Sequence, residues 1–348
     1  MNERKRERDY PTKRPTAAID DEAAGYERPY PPEAAEIPWI DVHQHTGTLS
    51  WEHHEKMDVS GARAVVMIAS SYFQIPYRPI EPDDWRFLWD EALRRAGEIS
   101  RNHFFDVYLA TAIHFGARIE GVDELLEVLP EYCALEEVVA VGETGVDPVQ
   151  SVSSWPIDEQ RAVLAEQMRI ADEQGLPVIL HTPGDRDESP PEGSVPAQFG
   201  RTFDHKFAYE GAPKTDPDPG FDVANAKREA ARIDVEVADE VGLAHDRLVI
   251  DHGHPDIAGY VLEETGCYLS FSLVRQTEAV GPEDVAGVIE EYGSERVMVD
   301  SDLLAGLYAD DAALTMRRMT LDLLRLGVEP EDVRNVVYEN PKRVLGLP

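Results

Sequence analysis

From Ile37 onward the chain alternates short, β-rich apolar runs with longer amphipathic stretches, and this rhythm constrains the fold more than any other feature. The apolar runs are "IPWIDVH" (37–43), "ARAVVMIA" (62–69), "DVYLATAIH" (106–114), "EVVAVGE" (137–143), "LPVILH" (176–181), "RLVIDH" (247–252), "GCYLSFS" (266–272) and "RVMVDSD" (296–302). Between them, "DEQRAVLAEQMRIADEQG" (158–175) carries Ala162, Leu164, Ala165, Met168 and Ala171 at helical spacing and ends on a glycine. Similar helical stretches fall near 83–99, 121–131, 223–241, 255–265, 282–292 and 310–326. Eight strands alternating with helices predict an α/β fold, a (β/α)8 TIM barrel over 37–348, with a doubly wound sheet as the alternative. No repeat of fixed period is present. Residues 1–36, rich in Pro, Ala and charge without an apolar period, are expected to form a disordered or loosely attached N-terminal arm.

One connection breaks the rhythm. Between His181 and Asn225 lie about forty residues full of Pro, Gly and Asp, too many for an ordinary connection in a compact domain. This insertion, about 183–222, follows the fifth strand. In a barrel it would lie over the C-terminal face, where active sites form. It is expected to cover the mouth and select substrate without supplying essential ligands.

Charge narrows the function. Acidic residues outnumber basic ones 68 to 33, for a net charge of −35. Because the acids are spread along the whole chain, they fit a halophilic protein of high-salt cytoplasm better than an acidic partner-binding surface. Such a surface repels polyanions, so a small-molecule substrate is favoured over nucleic acid. No apolar run approaches a membrane span, and the basic start has no apolar stretch behind it, so a cytoplasmic location without membrane partners is expected. A homo-oligomer is left open. The only cysteines, Cys133 and Cys267, are too few for a thiolate metal site.

The strand ends carry the chemistry. The first candidate strand ends in His43-Gln44-His45, the fourth in Glu143, the fifth in His181, the sixth in His252 and the eighth in Asp300-Ser301-Asp302. Side chains alternate along a strand, so His43 and His45 face the same way. Taken singly, a strand-end histidine is more often a solvent-facing or capping residue than a ligand. Five such ends converging on one barrel mouth point to a metal site. Imidazole and carboxylate suit zinc best, with manganese, magnesium, cobalt or nickel as alternatives. Four histidines and two carboxylates exceed one ion's needs and fit two divalent ions ~3.5–4 Å apart.

These motifs resemble those of a known family. "DVHQH" is similar to the opening metal motif of the amidohydrolase superfamily. "VVAVGETGVD" (138–147) and "GLPVILHTP" (175–183) resemble successive motifs of TatD-type metal-dependent hydrolases. "TAIHFG" (111–116) resembles their third-strand motif, with Ala112 and Phe115 in place of the flanking Gly and Pro. "RVMVDSDL" (296–303) and "ENPKRVLGL" (339–347) resemble the superfamily's last strand and ending. The resemblance implies that His43, His45 and Asp302 hold one metal, that Glu143 bridges, and that His181 and His252 hold the second. "DHGHPD" departs from the family pattern by offering His254 as well as His252. Because the strand ends on His252, His254 is expected beside the site as a substrate or supporting group, as are His114, Asp300 and Asp147. His114 could equally be a structural histidine.

A water bridging two cations is acidified to a pKa of about 7 and supplies hydroxide at neutral pH. Asp302 would take the proton and return it to the leaving group. The expected substrate is a small ester, phosphoester, amide or lactone. TatD relatives include deoxyribonucleases, which is the alternative. A non-hydrolytic decarboxylase or isomerase, and a degenerate non-catalytic barrel, are further alternatives.

Overall fold

The computed structural model describes residues 31–46, 49–69, 81–114, 121–147, 156–183, 225–273, 280–302 and 312–348. Residues 1–30 of the expected arm and nearly all of the expected insertion lie outside these described residues.

The described residues form eight strands: β1 (Trp39–Gln44), β2 (Ala62–Ile68), β3 (Asp106–Thr111), β4 (Val138–Thr144), β5 (Val178–Leu180), β6 (Leu248–Ile250), β7 (Tyr268–Ser272) and β8 (Val297–Asp300). They pair in sequence order, every pair parallel. Each falls within or one residue past an expected run. The barrel is nearly closed, and hydrogen bonds tie the exit of its last strand to its first strand at the mouth. There the Asp302 N–H donates to the His43 carbonyl (2.9 Å) and the Ser301 N–H to Asp41 Oδ1 (3.0 Å).

Alternation along the strands divides the core in two. Ile40, Val42, Ala64, Val66, Ile68, Ala110, Ile179, Val249 and Met298 form one buried cluster with Leu345, which fills the barrel lumen and its floor. The intervening Val65, Met67, Leu109, Val141, Leu180, Ile250, Leu269 and Val299 belong to an outer cluster with helix residues such as Trp85, Trp89, Leu129 and Leu164. Burying each such large side chain contributes about 1.5–3 kcal/mol.

Helices follow the expected stretches: Pro82–Asn102, Val122–Cys133, Ile157–Gln174, Ala226–Val241, Pro282–Tyr292 and Thr315–Arg325. The expected 255–265 helix is split into Pro255–Gly259 and a wider turn, Tyr260–Glu264. Several elements are additional to those expected, among them the short helix His245–Arg247. Trp51–Ser60 has a weakly amphipathic sequence, "WEHHEKMDVS", which hides its helical period. The C-terminal segment forms short helical pieces from Pro330 to Val344, whose Val333, Val336 and Val337 are buried. The last residues of the expected arm form a helical turn, Glu33–Glu36, with Ala34 buried. That turn is tied down by Arg317, whose guanidinium donates to the carbonyls of Ala34 and Ile37. Among the described residues, no helix is long and apolar enough to cross a membrane.

Candidate metal centre

Five imidazoles line one arc at the C-terminal ends of the strands. Ring centroids are 5.3 Å apart for His45–His43, 5.2 Å for His43–His252, 4.8 Å for His252–His181 and 5.6 Å for His181–His114. The carboxylates of Asp302, Glu143 and Asp147 interleave with them. His45 Nε2 lies 3.1 Å and His43 Nε2 3.4 Å from Asp302 Oδ1. Glu143 reaches three rings: His181 Nδ1 at 2.6 Å and His252 Nε2 at 2.9 Å from Oε1, and His43 Nε2 at 3.7 Å from Oε2. Asp147 Oδ2 lies 3.4 Å from His181 Nε2.

Local backbone aims these groups. β1 and β2 shift register between Asp41 and Gln44, so the alternation that sends Ile40 and Val42 into the lumen breaks where His43 joins the mouth. His252 (φ 54°) and Asp302 (φ 41°) both adopt left-handed backbone, which non-glycine residues rarely hold without surrounding support. Thr182 and the buried Lys227 supply it at His252, both donating to its carbonyl, Lys227 Nζ at 2.6 Å. Glu143 sits between Gly142 and Gly145. A Cβ at Gly142 would meet the Ile179 Cβ at 2.8 Å, and one at Gly145 (φ +124°) would meet the His181 carbonyl at 2.8 Å. Only glycine lets β4 and β5 approach closely enough for Glu143 to meet His181. From outside, Gln160 fixes the Asp147 N–H and Gln167 the Ile113 N–H, next to His114.

Ligand atoms within 4.8 Å of one another define overlapping groups: His43, His45 and Asp302; His43, Glu143 and His252; His114, Glu143 and His181; and, deeper, His43, Asp251 and Asp300. The six expected ligands are therefore brought together, and His114 joins them. Asp147 lies against His181, at the edge of the groups. His254 does not join any of these groups: it caps the Pro255–Gly259 helix, its Nδ1 accepting from the Asp256 N–H at 3.2 Å. Asp300 lies fully buried below the mouth, where the Ser270 hydroxyl donates to it. His43 Nδ1 stands 2.5 Å from the Oδ2 of another buried acid, Asp251.

Sequence reasoning missed Asp251, Asp41, Ser272 and Lys227. Asp41 accepts from the Ser301 N–H and hydroxyl and from Gln44 Nε2 (2.9 Å), locking both edges of the barrel seam. Asp251 directly precedes the ligand-type His252, and Asp41 lies two residues before His43, which was the available signal. Lys227 follows the insertion, outside any motif.

Electrostatics test whether a cation fits. Among the described residues, the buried His43 Nε2 has no hydrogen-bond partner, yet it faces carboxylate oxygens at 3.4 and 3.7 Å. Two ligands about 2.0–2.1 Å from one tetrahedral ion stand at about that separation. Burial alone would lower the pKa of the imidazoles, but Glu143 raises His181 to about 10, and Glu143 and Asp251 hold His43 well above its ordinary value. Burial opposes ionisation of Glu143 too, but His43 and His181 hold its carboxyl well below the usual range. Burial pushes His114 down to about 4 and keeps it neutral. The acids thus hold positive charge at the mouth, and bound cations would take the place of those protons. The donor set fits divalent metal.

Residues 40–189 match the family model described as TatD related DNase. An uncharacterized metal-dependent hydrolase of Methanocaldococcus jannaschii is 25% identical over 305 residues, covering 87% of this chain and 98% of that protein. A metal-dependent hydrolase of Bacillus subtilis is 36% identical over 89 residues, 26% of this chain and 34% of that protein. Among solved structures, the TatD-like protein of Archaeoglobus fulgidus superposes with a TM-score of 0.57 at 22% identity, covering 89% of this chain and all of that one. The phosphotriesterase homology protein of Escherichia coli gives 0.55 at 13% identity, covering 89% and 99%. These two structures support the barrel fold. The sequence matches, one opening on β1 itself and one spanning nearly the whole of a relative, support a hydrolase and make this chain similar to TatD-type, metal-dependent hydrolases.

Proposed function

We propose that the mouth holds two divalent cations and hydrolyses a small ester, phosphoester, amide or lactone. The observation that carries this reading is the overlap of ligand groups: Glu143 is shared between a group containing His43 and His252 and one containing His114 and His181. A third group, His43, His45 and Asp302, shares His43. In this reading His43, His45 and Asp302 would hold one ion and His181 and His252 the other, with Glu143 serving both. When bound, the ions supply Lewis-acid activation of water and of the electrophilic oxygen under attack.

The protein's own groups do the remaining work. Asp302 is the most exposed of these ligand-type residues, its side chain 22% accessible against 14% or less for the others given above. Burial works against its ionised form, but His43 and His45 hold its carboxyl below the ordinary value, so it is ionised at neutral pH. It accepts the proton of the attacking water and delivers it to the leaving group. His114, neutral and lying against His181, would add a ligand to the second ion or contact the substrate.

A deoxyribonuclease is the second reading, favoured by the name of the matching family model. The net charge of −35 argues against a nucleic-acid groove. The test is a panel of small esters, phosphoesters, amides, lactones and single-stranded DNA, with Zn, Mn, Co or Mg at high salt. Turnover of a small substrate that stops with chelator is the expected result. Turnover of DNA alone would shift the assignment to the nuclease.

A further inference from the structure

We infer that one buried carboxylate, Asp251, sets the ring orientation of a histidine on each side of the centre, His43 directly and His252 through Ser272. The inference rests on the two-ion reading above. His43 Nδ1 lies 2.5 Å from Asp251 Oδ2. His252 Nδ1 lies 2.7 Å from Ser272 Oγ, which lies 3.2 Å from Asp251 Oδ1. The same Oδ1 accepts the His252 N–H at 2.7 Å. All four residues are buried.

The donors and acceptors allow one consistent set of directions. An ionised carboxylate only accepts. His43 Nδ1–H therefore donates to Oδ2. The Ser272 hydroxyl donates to Oδ1, so its oxygen is left to accept from His252 Nδ1–H. Both Nδ1 atoms are thereby committed as donors, and both Nε2 atoms turn towards Glu143, His43 at 3.7 Å and His252 at 2.9 Å. In a metal site, a hydrogen bond on the far nitrogen fixes which nitrogen offers its lone pair. Here a single acceptor does this for both, so the two halves share one orienting group. Ser272 is the relay for one branch only.

The two branches can be cut separately. Ser272→Ala removes the His252 branch and leaves the His43–Asp251 bond. Asp251→Asn removes the charge and replaces one acceptor oxygen with a donor, so both branches suffer. Imidazole Nδ1–H resonances of ¹⁵N-labelled full-length protein are recorded with and without Zn²⁺, and zinc affinity is measured by chelator competition. The wild type should show a downfield, exchange-protected Nδ1–H signal for each of His43 and His252. Ser272→Ala should lose the His252 signal alone and weaken one of two zinc-binding steps by about 10–100-fold. Asp251→Asn should perturb both signals and weaken both steps. The inference is overturned if Ser272→Ala disturbs His43 as much as His252, or if folded Asp251→Asn keeps both signals and both affinities. Should Asp251→Asn fail to fold, Ser272→Ala still decides. Should the wild type bind no zinc, the metal reading fails, and the two Nδ1–H signals still decide the role of Asp251.

Discussion

His43 and Glu143 face each other across the barrel mouth, Nε2 to Oε2 at 3.7 Å, one from the end of β1 and the other from the end of β4. Each belongs to more than one ligand group. Glu143→Gln would put an amide N–H₂ among imidazole nitrogens that need an anion. Its metal affinity should fall by more than the about 10–100-fold typical of supporting residues. His254→Ala, outside these groups, should bind metal as the wild type does. Chelator competition measures both, and equal affinities for the two variants would remove Glu143 from the centre.

The two acids of β8 should separate. Asp302→Asn removes the proton acceptor and should lower turnover by ~10²–10⁴-fold while the histidines and Glu143 still retain metal. Burial and the neighbouring Asp251 push the Asp300 carboxyl well above its ordinary value, which favours its protonated form. Asparagine resembles a neutral acid, so Asp300→Asn should cost less, at most about 10–100-fold. Steady-state kinetics of the two variants check this. A dead Asp300→Asn beside a near-normal Asp302→Asn would reverse the assignment.

Salt should matter to the whole molecule. With a net charge of −35, self-repulsion is screened only when ions are dense. The melting temperature should climb steeply between low and molar KCl. A flat profile would contradict the salt-adapted reading of the composition.

His54 offers a pH test away from the mouth. Burial, with His103 beside it, lowers its pKa to about 4. A base whose folded pKa is depressed contributes stability above its unfolded value of about 6.5, and loses it as pH falls towards 4. Denaturant unfolding at pH 7 and pH 5 should show a larger loss for the wild type than for His54→Gln. Equal losses would mean that the imidazole takes up its proton without cost.

The alternation of apolar runs was enough to read the barrel, because each strand packs on both sides and its run stands out from polar loops. The helix Trp51–Ser60 was hidden because "WEHHEKMDVS" buries only His54, Met57 and Ser60, two of them polar. At the centre, histidines and acids at strand ends were visible because ligand chemistry needs those residue types at the mouth. The orienting groups were not. Ser272 ends a strand with nothing to mark it, and Asp251 and Asp300 look alike as buried strand-end acids. Which of them meets His43 depends on the stagger of β6, β7 and β8, a three-dimensional quantity. His114 and His254 were equally open in the sequence, and the fold turns one towards Glu143 and uses the other as a helix cap.

Metal content tests the central claim most directly. The protein would be purified at high salt without added metal, reconstituted with Zn²⁺, desalted and analysed by elemental mass spectrometry beside Glu143→Gln. The account predicts about two divalent ions per wild-type chain, with a clear loss in the variant. A wild-type chain that retains no divalent ion, or a variant that retains as many as the wild type, would contradict it.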